Sequence, residues 1–170
     1  MSSVVISGDT SGSITLAAPA VAGTNTINLP AAAGTVMVSG NMPAFSAYQS
    51  SAQTLSTGTT TKILFQTEEY DTNNNFASSA FTPTVAGYYQ ISANFAVSTV
   101  ATRMIIDIYK NGSQHKRGND STSVANTGSC IVYCNGSTDY VEVYGYVAAG
   151  QSLQASSTAT WFQGVLVRSA

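Results

Sequence analysis

From residue 43 onward, apolar and polar side chains alternate with a period of two, and no stretch sustains a helical period. Residues 88–97 set Tyr89, Ile91, Ala93, Phe95 and Val97 on one face and Tyr88, Gln90, Ser92 and Asn94 on the other. Residues 103–110 set Met104, Ile106 and Ile108 against Ile105, Asp107 and Tyr109, and Asn111-Gly112 follows as a hairpin-type turn. Residues 129–133 form another strand-like run, closed by Asn135-Gly136. Residues 140–147 set Val141, Val143 and Val147 against Tyr140, Glu142, Tyr144 and Tyr146. Residues 61–65 and 161–168 are further β-rich runs. Many short strands punctuated by Gly and Asn turns predict an all-β sandwich or jelly roll.

The length of 170 residues fits one domain with a short appendage. Only 8% of residues are charged, against about 25% in ordinary soluble domains. With 44% apolar residues and a net charge of -2, the composition argues against global disorder. No basic stripe exists to neutralise phosphates, so no nucleic-acid partner is expected. The longest apolar stretch, residues 16–22, is broken by Pro19 and is far short of the roughly 18 residues of a membrane span. Met1-Ser2-Ser3 leads into no basic-then-apolar secretory pattern, so synthesis and folding in a cytosol are expected.

Residues 1–42 differ from the remainder. They are rich in Ser, Gly, Ala and Thr, hold one charge, Asp9, and contain no aromatic residue. Ile14 with Leu16, Ile27 with Leu29, and Val36 with Val38 are short alternating pieces bounded by Gly or Pro. The expectation is an extended anchoring arm over 1–42, docking on a partner through Ile14, Leu16, Ile27 and Leu29, ahead of a head over 43–170.

Chemistry-bearing residues are few. Cys130 and Cys134 would lie about 13 Å apart in an extended strand, too far for the roughly 7 Å limit of a disulfide. Their even spacing predicts two buried thiols on one face. His115 is the single histidine, so no tetrahedral metal set can form, and neither a metal nor a cofactor is expected. Gln114-His115-Lys116-Arg117 reads as a solvated loop near a hairpin tip, or as a contact for an anionic glycan or an acidic patch. Glu68, Glu69 and Asp71 beside Asn73, Asn74 and Asn75 supply oxygens that suit calcium, but not at the spacing of an EF-hand. No nucleophile, base and orienting group can be assembled, so no enzyme is expected.

The ordered series Ala44-Phe45-Ser46-Ala47, Lys62-Ile63-Leu64-Phe65, Asp71-Thr72-Asn73-Asn74-Asn75-Phe76, Phe81-Thr82-Pro83 and Ala86-Gly87-Tyr88-Tyr89-Gln90-Ile91 resembles a known family. Tyr109-Lys110-Asn111-Gly112, Asp139-Tyr140-Val141-Glu142-Val143 and Trp161-Phe162-Gln163-Gly164-Val165-Leu166-Val167 continue it. The series is similar to the globular head of complement component one-q, within the tumour-necrosis-factor-like jelly-roll group. That resemblance implies a jelly-roll β-sandwich of about ten antiparallel strands and a tight homotrimer. Tyr89, Ile91, Phe95, Phe162, Gly164 and Leu166 are its expected core. Pro83 is expected to end a strand and Gly87 to let the chain turn into the next. The row Tyr140, Tyr144 and Tyr146 is the expected trimer interface. A Gly-X-Y stalk is absent, so the complement role does not carry over.

Gly12-Ser13-Ile14-Thr15-Leu16-Ala17-Ala18-Pro19, Asn25-Thr26-Ile27-Asn28-Leu29-Pro30 and Gly34-Thr35-Val36 are similar to a low-complexity module of tailed-phage virion proteins. Arm and head together imply a non-enzymatic virion protein, assembled in the bacterial cytoplasm as a trimeric capsid decoration or cement protein. Its expected partners are its own copies and a major capsid or other virion protein. The alternative is a receptor-binding adhesin on a short tail fibre or head fibre, recognising host surface glycans.

Overall fold

The period-two runs become strands because each buries one row of apolar side chains while the ladder satisfies the backbone. A computed structural model describes residues 3–21, 23–26, 31, 34 and 36–170. The chain divides into two units, Met1–Gly34 and Thr35–Ala170. The expected boundary at 42/43 falls inside the second unit, where Met37 already packs on the core.

In the first unit, β1 (Ser3–Ser7) and β2 (Ser13–Ala17) pair as an antiparallel hairpin. Its turn is closed by Gly8 N–H donating to Gly12 O at 3.0 Å, with Gly12 at φ 77°.

The second unit is a jelly roll of β3 (Ala44–Tyr48), β4 (Thr54–Leu55), β5 (Thr61–Lys62), β6 (Thr67–Asp71), β7 (Phe76–Ala77), β8 (Ala80–Phe81), β9 (Gly87–Lys110), β10 (Ser113–Cys134), β11 (Val141–Val147), β12 (Gln151–Ser152) and β13 (Trp161–Ser169). All strand ladders are antiparallel. The long strands β9 and β10 form one hairpin that serves both layers. Residues 87–94 of β9 pair with β13, which pairs with β3 and then β6. Residues 104–110 of β9 pair instead with β11. Register shifts at 121/123 and 123/125 of β10 mark the passage between layers, as bulges bend a strand and sharpen its twist. Asn111 (φ 52°) and Gly112 (φ 73°) make the hairpin turn at the sequence position expected for it.

Between the layers, Phe45 stacks on Phe81 at 4.2 Å and on Phe76 at 5.1 Å, and meets Phe162 edge-on at 4.8 Å. Phe81 contacts Tyr89 at 5.3 Å. Tyr89, Ile91, Phe95 and Phe162 are fully buried and Leu166 nearly so. A Cβ on Gly164 would lie 2.7 Å from both Ile91 Cδ1 and Phe45 Cε1, so glycine lets β13 press against the aromatic cluster. The buried Tyr89 hydroxyl donates to Val85 O at 2.6 Å, and burial pushes its pKa up.

Three sequence expectations change. Gly87 makes no turn: it is the first residue of β9, and a Cβ there would sit 2.4 Å from Arg168 O. Glycine is required by the close approach of β13. The run 61–65 is a strand only at Thr61–Lys62. Beyond it, Gln53 Oε1 accepts from Leu64 N–H and Ser79 Oγ accepts from Phe65 N–H, so side chains replace the ladder. Residues 114–117 are strand, not loop, because the hairpin continues past its tip through the whole of β10.

Candidate interaction surfaces

The two layers present chemically different outer faces. On the layer of β5, β11 and residues 101–110 of β9, charged side chains interlock. Asp107, almost fully buried, accepts from Gln114 Nε2 at 2.8 Å and Arg117 Nε at 3.1 Å. Arg103 grips Asp120 with two hydrogen bonds, of 2.8 and 2.6 Å, and that hydrogen bonding holds the carboxyl below the usual carboxylate range. Lys62 Nζ reaches Glu142 Oε1 at 2.6 Å and Ser78 O at 2.9 Å.

The expected interface row lies on this face. Tyr140, Tyr144 and Tyr146 are half-buried. Tyr144 stacks on Tyr109 at 4.0 Å, and burial, then the Glu142 charge, pushes its pKa up. Tyr146 lies under the Arg103 guanidinium, 5.8 Å from ring centre to Cζ. These two rings therefore have partners within their own chain.

The outer face of the other layer is built from β13, residues 88–94 of β9 and residues 127–133 of β10. Its outward positions include Trp161, Gln163, Val165, Tyr88, Gln90, Ser92, Asn94, Thr127, Ser129, Ile131 and Tyr133, none of them charged, and the exposed Arg168, opposite Tyr88 past the register shift at 166/168, brings a charge to one end of the face. Ile131 is 55% exposed, Tyr88 44%, Val165 43% and Tyr133 42%. Gln90 Nε2 donates to Ser129 Oγ at 2.6 Å and Thr127 Oγ1 to Asn94 Oδ1 at 2.8 Å, which ties the two strands together. Tyr70, Gln90, Ser92, Gln163 and Val165 line a shallow recess of about 140 Å³ in this face.

One border of that face is an open edge. β10 pairs with β9 and with no other strand among the described residues. Its first half carries Lys116, Arg117 and Asp120 and is broken by register shifts at 114/116 and 117/120. Both devices prevent edge-to-edge pairing. From residue 125 to 134 the edge has neither: the register is continuous and no residue is charged. Sequence reading missed this surface, because scattered exposed apolar residues are normal and only strand pairing gathers them.

The remaining candidates sit apart. Ile14 and Leu16 are exposed on β2; Ile27 and Leu29 lie outside the described residues. His115 and Lys116 are exposed on β10. On β6, Glu69 Oε2 accepts from Ser46 Oγ at 2.7 Å, and Asp71 accepts from the backbone N–H of Phe76 at 2.6 Å. Among the described residues, no three His, Cys, Asp or Glu side chains converge as a metal site. No helix among them is long and apolar enough to cross a membrane.

Cys130 is half-buried and Cys134 fully buried, and both are free thiols. Burial pushes Cys134 up to about 11, so it stays protonated at neutral pH and is no nucleophile. Iodoacetamide at pH 8 is therefore expected to leave Cys134 unmodified in the folded protein and to label it on unfolding, as peptide mass spectrometry reads out. Because this pKa is raised, the group's contribution to stability is complete below the unfolded value of about 9 and fades as pH rises from there towards 11. Rapid labelling of native Cys134 would contradict the burial.

No family model matches the chain, and no curated protein matches it. Solved structures do. Murine APRIL superimposes with a TM-score of 0.61 at 11% identity, covering 74% of this chain and 99% of that chain. Eiger TNF from S. frugiperda gives a TM-score of 0.56 at 8% identity, covering 76% of this chain and 93% of that chain. Identities this low show the fold alone, a tumour-necrosis-factor-like jelly roll.

Proposed function

We propose that this chain is a non-enzymatic structural protein of a tailed-phage virion. In this reading a complement-one-q-like head assembles as a homotrimer, and residues 1–42 anchor it to a capsid protein as a decoration or cement protein. The observation that carries self-association is the outer face with few charges, on which Tyr88, Ile131, Tyr133 and Val165 are exposed, bordered by a regular, unpaired and uncharged edge. Face and edge are different surfaces of one subunit. Packing the edge of one copy on the face of the next is a heterologous contact, and such a contact gives a closed trimer when each step rotates the next copy by a third of a turn. The ion pairs Lys62–Glu142, Arg103–Asp120 and Arg117–Asp107 lie on the opposite layer, where they keep the assembled particle in water.

Anchoring is supported by the first unit. A two-stranded hairpin is marginal alone in water, and β1–β2 exposes its aliphatic side chains. The small-residue composition of 1–42 and its resemblance to phage virion modules support a capsid as the docking surface. Strand addition would supply backbone hydrogen bonds, and three arms per trimer would supply avidity.

Deleting residues 1–42 is expected to leave a folded trimer that no longer sediments with capsids lacking this protein. Full capsid binding by the truncated head would overturn the anchoring role. The stacked Tyr109–Tyr144 pair among Gln114, Arg117 and Asp107 favours one second reading, an adhesin that binds host glycans through that face. Host-cell binding by the purified protein would support it.

A further inference from the structure

Of the six Lys and Arg residues in the chain, Lys62, Arg103, Lys110 and Arg117 each pair with a carboxylate of the same chain. Lys116 and Arg168 have no ion pair among the described residues. Lys116 is exposed on the open border formed by β10. That strand bends back on itself. A Cβ on Gly118 would lie 2.6 Å from the Gly128 Cα, so residue 116 comes beside residue 130, and the Lys116 charge reaches the Cys130 thiol.

The opposite border of the layer is β6, and it carries an anion with a free oxygen. Tyr70 lies opposite Ser46 and Glu68 opposite Ala47, so Glu69 is the extra residue of a bulge. The bulge brings Glu69 to the outer face. Its Oε2 accepts from Ser46 Oγ at 2.7 Å, and Ser46 alternates with the inward Phe45 and Ala47. The Oε1 of Glu69 has no partner among the described residues. Glu68 points off the face, into a cleft beside Phe65 and Phe76. The two borders are level. Ser129, Ser92, Gln163, Ser46 and Tyr70 are successive ladder partners across the layer, from β10 to β6. Lys116, beside Cys130, and Glu69, beside Tyr70, therefore stand at the same height to within about a residue.

We propose that Lys116 of one head pairs with Glu69 of the next, an ion pair between copies that sets the direction and register of edge-on-face packing. The proposal rests on the trimeric reading of the head and names the charged contact that aligns it. The charges select a second copy. One border of the chain offers a cation, the opposite border an anion at the same level, and a ring about an axis along the strands carries each group round without changing its height. Every copy supplies both halves of the contact, so all the pairs form together. Two copies meeting edge to edge would instead set Lys116 against Lys116, so the same residue disfavours the wrong contact. An exposed ion pair adds little affinity, and its effect here is on orientation.

The test is a charge swap in the full-length chain: Lys116→Glu, Glu69→Lys and the double variant, followed by sedimentation equilibrium. Each single reversal sets like charges together, and the concentration at which half the trimer dissociates is expected to rise roughly tenfold or more. The double variant should return it close to that of the parent, and high salt should narrow the differences. Circular dichroism checks the fold, since both positions are exposed. No weakening by either reversal, or no recovery in the double variant, overturns the ion pair and leaves a trimeric parent standing. A monomeric parent removes both readings. Reversals that spare the trimer but abolish sedimentation with capsids assign these charges to a capsid partner instead, which also overturns the pair. The unmodified protein gives a check independent of any variant. A carbodiimide joins an amine to a touching carboxylate as an amide, the reagent taking up the water. Mass spectrometry of mixed isotope-labelled and unlabelled chains should find Lys116 linked to Glu69 between chains. Lys116 linked only to other carboxylates, or only within its own chain, would count against the pair.

Discussion

Phe45→Ala is expected to lower the stability of the jelly roll by about 3–5 kcal/mol. Phe45 is fully buried and contacts Phe76, Phe81 and Phe162, so three other rings lose their partner at once. The cavity cannot easily collapse. Phe45 lies on β3 between β6 and β13, and its ladder partners Asp71 and Gly164 hold the backbone in place. Domains of this size are stable by about 5–15 kcal/mol, so the variant should unfold at clearly lower denaturant or fail to accumulate. Urea unfolding followed by fluorescence of Trp161 measures the change. A loss under about 1 kcal/mol would mean that the aromatic cluster is not close-packed.

Ile131→Glu is expected to convert the proposed trimer into folded monomers at micromolar concentration. In the single chain Ile131 is 55% exposed, so glutamate there is solvated and the fold persists. In the proposed assembly the same carboxylate is buried without an adjacent cation, because the neighbouring outward positions Gln90, Ser129, Tyr133 and Val165 are uncharged. Burying an unpaired charge costs several kcal/mol, and the ring repeats that cost at every contact, weakening association by roughly a thousandfold or more. Light scattering gives the mass, and circular dichroism confirms the fold. The companion variant Tyr140→Glu locates the contact. If it dissociates the assembly while Ile131→Glu does not, the interface is the tyrosine row.

That choice between faces shows where sequence reading stops. Tyr140, Tyr144 and Tyr146 stand out because they recur every two or four residues in one run of sequence, a pattern visible without any partner strand. Tyr88, Ile131, Tyr133 and Val165 come from three separate runs, and nothing local marks them as neighbours. They meet because β13 and residues 125–134 of β10 flank the same half of β9. Likewise Ile14 and Leu16 were legible as a pair, but Val4 and Ile6 join them only through the hairpin register.

Strand character, the inward rows and the Asn111-Gly112 turn follow from the sequence alone, because a period of two and a left-handed turn are properties of adjacent residues. Sheet order, the bend that sends β9 and β10 through both layers, and the end of the 61–65 run at Lys62 were decided by the tertiary structure. Gln53 and Ser79 satisfy Leu64 and Phe65 from elsewhere in the chain, and a single run of residues cannot say which distant side chain will supply its hydrogen bonds. The same holds for surfaces. Alternation says which side chains point outward, but only the packing of whole strands decides which outward side chains gather into a face with few charges and which into a network of ion pairs.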